Sequence, residues 1–197
     1  MTDSPATRLV RPRRTRADKE RNRNHILDVA EEFFREQGVG GPLDTLARRA
    51  GVGPGTLYRH FPTREALLAA LLQARDERLE TRRLELMQES DSALALQQWL
   101  DAMGEFVSAF DGLPDPLRAA LSEQGSPLAI TCRGFVTCTD EFLAAAQRDG
   151  HAQPWVRGRE LFLGVLATAW VADAALADES SAQSLRALVR RGWAREH

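Results

Sequence analysis

Apolar residues recur along this chain at intervals of three and four, without sustained alternation, so the pattern predicts helices throughout and an all-α fold. The first helix is expected over 17–37, where Ile26, Val29, Ala30, Phe33 and Phe34 share one face and Gly38 marks the stop. Two short helices follow, in the segment LDTLARRAGVGPGTLYRHF from Leu43 to Phe61. After Phe61-Pro62, Thr63 is a suitable N-cap for a long helix reaching about Met87, whose far half carries Arg and Glu at intervals of three and four. Leu96, Trp99, Leu100, Met103, Phe106, Val107 and Phe110 line one side of a helix over 92–110, broken by Gly112, Pro114 and Pro116. A short helix through Leu121 comes next, then one opened by Pro127 that carries Phe135, Phe142 and Leu143, and two last helices over 156–176 and 180–195.

The paired short helices carry the chemistry. Leu46, Ala47 and Ala50 form the inner face of the first, and the small Ala47 lets the second cross closely. Gly51 ends that helix where a left-handed backbone is usually needed. Val52 and Leu57 plug the corner, leaving Gly55, Thr56, Tyr58, Arg59 and His60 outward on the second helix. This is the layout of a helix-turn-helix that lays its second helix in the major groove of duplex DNA. Arg59 can donate to guanine edges or phosphate, Thr56, Tyr58 and His60 can bond phosphate oxygens, and Pro54-Gly55 allows close backbone approach. Two short helices joined by glycine also occur in helical proteins that bind no DNA. A phosphate-cradling loop at GVGPGT is excluded, because no strand precedes it and no Gly-Lys-Ser/Thr follows.

From about Asn22 to Leu72, ILDVAEEFFREQGV followed by LDTLARRAGVGPGTLYRHFPTREALLAAL resembles the tetracycline-repressor (TetR) family of bacterial regulators, above all in GTLYRHF followed by Thr-Arg-Glu-Ala-Leu. The resemblance implies an N-terminal three-helix DNA-binding domain and a C-terminal helical domain for ligand binding and dimerisation. It implies that Tyr58 and His60 contact phosphate and that Gly55, Thr56 and Arg59 lie at or near bases. Arg64 stands where the family usually has a phosphate-gripping Lys, keeping the charge and adding bidentate geometry. Pro42 replaces a frequent Thr at the start of the first helix of the pair; it suits a first helical position but has no donor to offer.

Charge is unevenly spread. Met1 to Arg64 holds 13 Lys and Arg against 8 Asp and Glu, and the remainder 13 against 20, so a net charge of −2 conceals a basic head and an acidic body. Counterion release draws the basic part to a phosphate backbone and makes binding salt-sensitive. Residues 1–16 read as a flexible arm in which Arg13 and Arg14 either enter a minor groove or stay solvated and add diffuse attraction. The expected units are thus this arm, a DNA-binding domain over 17–64 and a regulatory domain over 65–197.

No apolar core follows the basic start, which argues against a secretory leader. The longest uncharged apolar run, Leu161 to Ala172, falls short of the ~20 residues of a bilayer span, so no membrane partner and a cytoplasmic location are expected. Cys132 and Cys138 are expected to stay reduced and act as packing residues; six apart on one helix, they cannot easily pair. An enzyme is not expected: there is no nucleophile elbow and no metal-binding His pair, and His25, His60, His151 and His197 are scattered. No metal or cofactor is expected. Asp101 and Glu105, four apart, read as a solvated helix side.

In the body, Trp99, Met103, Phe106, Phe110, Phe135, Phe142 and Trp170 either line a cavity for an apolar inducer, as the resemblance implies, or simply form core. The helix over 156–176 is apolar over much of its circumference and the last presents apolar residues along one side, with Leu161, Val165, Ala169, Leu185, Leu188 and Val189 either completing one core or pairing with a second copy. The expectation is a homodimeric transcriptional regulator, a repressor released from a palindromic DNA operator by a small molecule. The alternative is a helical interaction module whose basic head binds an acidic protein.

Overall fold

A computed structural model describes residues 16–123, 125–173 and 179–195, and among them the secondary structure is helical apart from turns and one isolated bridge. The order is α1 (Arg16–Gln37), α2 (Leu43–Arg49), α3 (Pro54–His60), α4 (Arg64–Leu86), α5 (Ser92–Val107), α6 (Pro114–Ala120), α7 (Leu128–Arg148), α8 (Gly158–Asp173) and α9 (Glu179–Trp193). Residues 1–15 of the proposed arm, with Arg13 and Arg14, lie outside the described residues, and Arg16 opens α1.

Helices α1 to α3 form a small head around Ile26, Ala30, Phe33, Phe34, Leu46, Ala47 and Leu57, all buried. Gly51 adopts φ +64°, and the turn it makes lets Val52 N–H reach the Ala47 carbonyl at 3.0 Å, reversing the chain between α2 and α3. Pro42 sits one position earlier than a first helical residue. It is the extended N-cap of α2, and its carbonyl accepts from Thr45 and Leu46.

Helix α4 belongs to both parts of the molecule. Thr63 caps it by accepting from the Ala66 N–H at 3.1 Å; its near half buries Leu67, Leu68, Leu71 and Leu72, and its far half buries Leu79 and Leu86. In the body, α5, α7 and α8 close around Trp99, which stacks on Phe142 at 5.4 Å and donates its indole N–H to the Thr139 hydroxyl at 2.9 Å. Phe135 bridges Phe106 and Phe162 at 5.5 and 5.7 Å. Helix α9 lies along α8, and its end is pinned where Gln153 N–H donates to the Trp193 carbonyl and Arg195 N–H to that of His151, both at 2.8 Å.

One boundary differs from the pattern with consequence. Helix α5 ends at Val107, not Phe110, because the chain turns towards Gly112, which holds φ +77°. The turn swings Phe110 away from the body interior and onto the head, where its ring meets Phe34 edge-on at 6.3 Å under the Arg75 guanidinium at 5.1 Å. In the same turn the Asp111 carbonyl accepts from Val39 N–H at 2.8 Å, and Arg75 pairs with Glu31 of α1 at 2.6 Å. The head is thus tied to the body at three neighbouring points.

Candidate nucleic-acid interface

Helix α3 is only seven residues long, and Leu57 is its one buried side chain. That anchor sets the rotation of the helix and thereby decides what faces outward. Pro54, Gly55, Tyr58 and Arg59 are exposed, Tyr58 at 44%, while Thr56 and His60 are half-buried along the edges. The six residues of α3 among those expected to meet DNA therefore share one small surface. A large aromatic left nearly half in water has no packing reason to be there. Gly55 makes the same point. A Cβ added to it would meet nothing within 4 Å, yet glycine in a helix costs about 1 kcal/mol relative to alanine. No packing contact within the protein therefore accounts for glycine at this position.

Charge supports the same face. Arg48 and Thr45 project from α2 and hydrogen-bond to each other at 3.1 Å, and Arg49 braces α2 to α1 through a paired contact with Glu36 at 2.5 and 2.7 Å. That pairing draws the Glu36 carboxyl below its ordinary range and raises the Arg49 guanidinium. The amino end of α1 adds groups that spacing alone did not single out. Asn22 Nδ2 lies 3.4 Å from His60 Nε2, and the Arg23 guanidinium sits 5.4 Å over the Phe61 ring. Their only signal in the sequence is polarity next to an apolar stripe, which any solvated helix shares.

Arg64 also makes contacts within the head. Its Nη1 donates to the carbonyls of Val39 and Gly41, the latter at 2.8 Å, so this part of the guanidinium fastens the α1–α2 loop from within. The carbonyls at the end of α1 and in the following loop need a donor, and Arg64 at the start of α4 is the cation within reach.

Three concavities stand out among the described residues. The groove between α4 and α7 encloses about 540 Å³ and is floored by Trp99 and Phe135. A more polar cleft of about 750 Å³ lies between α1, α4 and α5, with Phe106 on its wall, and a small cavity of about 70 Å³ lies between α5, α8 and α9. Met103 and Phe142 are packed in the core, and Phe110 belongs to the junction with the head. Trp170 lines none of the three concavities; it points outward from α8, 54% exposed.

The residues expected at a self-association face divide in two. Leu161, Val165 and Ala169 are buried by their own chain, because the inner side of α8 packs on α5, α7 and α9. Leu188 is 63% exposed, with Leu185 and Val189 half-buried beside it. Exposed Trp170 and Ala167 of α8 are, with Leu188, among the outward-facing apolar residues of this helix pair. Among the described residues no helix is long and apolar enough to cross a membrane.

Comparison with known proteins agrees with this geometry. Residues 26–71 match the profile described as "Bacterial regulatory proteins, tetR family", and residues 91–195 match "Transcriptional regulator SbtR-like, C-terminal domain". The HTH-type transcriptional regulator SrpR of Pseudomonas putida is 44% identical over 69 residues, which is 34% of this chain and 32% of SrpR. The uncharacterized regulator TtgW of Pseudomonas putida is 42% identical over 69 residues, 34% of this chain and 52% of its own length, so both curated relatives are matched over about half their length or less. The crystal structure of the TetR transcriptional regulator SCO0520 from Streptomyces coelicolor aligns over 89% of this chain and 99% of its own, with 31% identity and a TM-score of 0.58. Matched at both ends by regulator profiles and along nearly all of SCO0520, the chain belongs to the TetR family of transcriptional regulators.

Proposed function

We propose that this protein is a homodimeric, sequence-specific DNA-binding regulator, a repressor that leaves a palindromic operator when a small molecule binds its body. The observation that carries the reading is α3: a short helix pinned by Leu57 alone, presenting Pro54, Gly55, Thr56, Tyr58, Arg59 and His60 on one surface. In the groove, Arg59 reads base edges, Tyr58 and His60 hold phosphate, and Gly55 lets the backbone come close. The basic arm with Arg13 and Arg14 adds contacts outside the major groove, and Arg64 acts chiefly by fixing the loop that carries α2. The units in this reading are the arm over 1–16, the DNA-binding head over 17–64 and the regulatory body over 65–197, working in the cytoplasm.

Dimerisation supplies the second reading head. The outward residues Ala167, Trp170 and Leu188 meet their copies across a two-fold axis, and half-buried Leu185 and Val189 support them. Release follows from the placement of α4. A ligand in the α4–α7 groove, against Trp99 and Phe135, displaces the helix whose other half forms part of the head core. The ties at Glu31–Arg75, Phe34–Phe110 and Val39–Asp111 make head and body move as one, so that displacement changes the spacing of the two α3 helices.

The test is duplex binding as a function of salt. The full chain should bind a selected duplex with an affinity that falls steeply with ionic strength, and Tyr58→Phe should weaken binding by several-fold without altering sequence preference. Arg59→Ala should weaken binding and relax preference at one base position in each half-site. Binding that is indifferent to both substitutions would remove α3 from the interface.

A further inference from the structure

The groove between α4 and α7 is chemically lopsided. Its walls are mostly apolar, with Leu72 and Leu79 on one side, Ile130 on the other, and Trp99 and Phe135 below. Ile130 is 72% exposed, an unusual position for an isoleucine unless something covers it. The charged groups all lie on one rim, on the far half of α4: Asp76, Glu80 and Arg83. Arg83 is already occupied. It makes a paired contact with Glu80 at 2.7 and 2.8 Å and reaches Glu141 of α7 at 3.4 Å, which leaves its pKa raised. Asp76 makes no hydrogen bond or ion pair among the described residues. Within the groove one guanidinium therefore stands against two carboxylates, with Glu141 drawing on it from outside, and the rim carries an excess of negative charge. Desolvation and the neighbouring Glu80 push the Asp76 carboxyl above its ordinary value. A cation placed beside it favours the charged carboxylate by direct attraction and offsets the repulsion from Glu80.

We infer that the α4–α7 groove selects an organic cation with a bulky apolar body, with Asp76 as the residue that recognises the charge. The inference rests on the proposed role of this groove as the inducer site. The volume of about 540 Å³ suits a drug-sized molecule, and the aromatic floor accepts flat or rounded hydrocarbon. An anion of the same shape meets the excess carboxylates with no free cation to receive it. The other concavities lack this bias. The α1–α4–α5 cleft sets four arginines against four acids, and the α5–α8–α9 cavity is too small for such a ligand.

The experiment uses two probes of nearly equal size and shape but opposite charge, tetraphenylphosphonium and tetraphenylborate, titrated into the full-length protein by calorimetry. Two variants accompany the wild type. Asp76→Asn removes the charge from an exposed rim position, and Gly134→Phe fills the groove from α7, where an added Cβ meets nothing within 4 Å. The inference expects the cation to bind at least about tenfold more tightly than the anion. It expects Asp76→Asn to erase most of that ratio and Gly134→Phe to abolish binding of both. If both probes bind equally, or the anion more tightly, and Gly134→Phe still blocks them, the groove remains a ligand site and the cation inference falls. If neither probe binds, or if binding survives Gly134→Phe, the groove as inducer site falls together with it.

Discussion

Replacing Gly38 by alanine separates two things that a left-handed glycine can do. Gly38 and Gly51 hold almost the same backbone conformation, φ +67° and +64°. Forcing an L-residue into that region costs about 1–2 kcal/mol, and the less flexible unfolded chain returns roughly 0.4–1 kcal/mol. Gly51→Ala should therefore destabilise the protein by about 1 kcal/mol, since its new Cβ meets nothing within 4 Å. At Gly38 the added Cβ lies 3.0 Å from the Asp111 carbonyl oxygen and 3.1 Å from the Asp111 Cβ. The loop must give way there, straining the neighbouring bond from Val39 N–H to that same oxygen. Losing one such bond adds about 1 kcal/mol and residual crowding about as much again, so Gly38→Ala should cost roughly 2–4 kcal/mol in all. Urea unfolding followed by far-ultraviolet circular dichroism measures both variants in the same buffer. The excess of Gly38→Ala over Gly51→Ala reports the head-to-body contact itself. If Gly38→Ala is no more damaging than Gly51→Ala, the Asp111 turn does not hold the head, and the coupling described through it is wrong.

Three further outcomes follow from the same structure. Arg64→Lys keeps the charge but loses the guanidinium that spans the Val39 and Gly41 carbonyls, and should lower stability by about 1–2 kcal/mol in thermal unfolding, with little change in the salt slope of DNA binding. Burial pushes the Cys132 thiol from 9.0 up to about 11, so folding favours its protonated form; that contribution is complete below pH 9.0 and is lost as pH rises towards about 11. Urea midpoints should fall across that window in the wild type, and Cys132→Ala should flatten that part of the fall. Trp170→Glu combined with Leu188→Glu changes two exposed positions and should leave helicity intact while yielding monomers in sedimentation, with operator affinity lowered by about tenfold or more.

Spacing made the helices and the outward face of α3 legible, and it did so for a local reason. In Leu43 to Phe61 each apolar residue needs a neighbour three or four positions away, and the turn needs one glycine, so the geometry is contained in nineteen consecutive letters. Phe110 shows where that reasoning ends. It continues the apolar stripe of α5, and only the turn at Gly112, made across the gap to α1, sends it to the head instead of the body. Arg64 is a second case, because the carbonyls it serves lie more than twenty residues earlier. Leu161, Val165 and Ala169 are a third. A helix that is apolar nearly all round reveals that it is covered but not by what, and here its own chain covers the side that carries them.

Selection of bound duplexes from a random-sequence pool by the full-length protein at low ionic strength tests the central claim most directly. The account predicts enrichment of a two-fold symmetric site, with half-sites about 10 base pairs or a multiple apart, and loss of that enrichment when Tyr58 and Arg59 are both replaced by alanine. A pool that emerges without symmetry or preference, or protein held equally well by heparin and by any duplex, would contradict it.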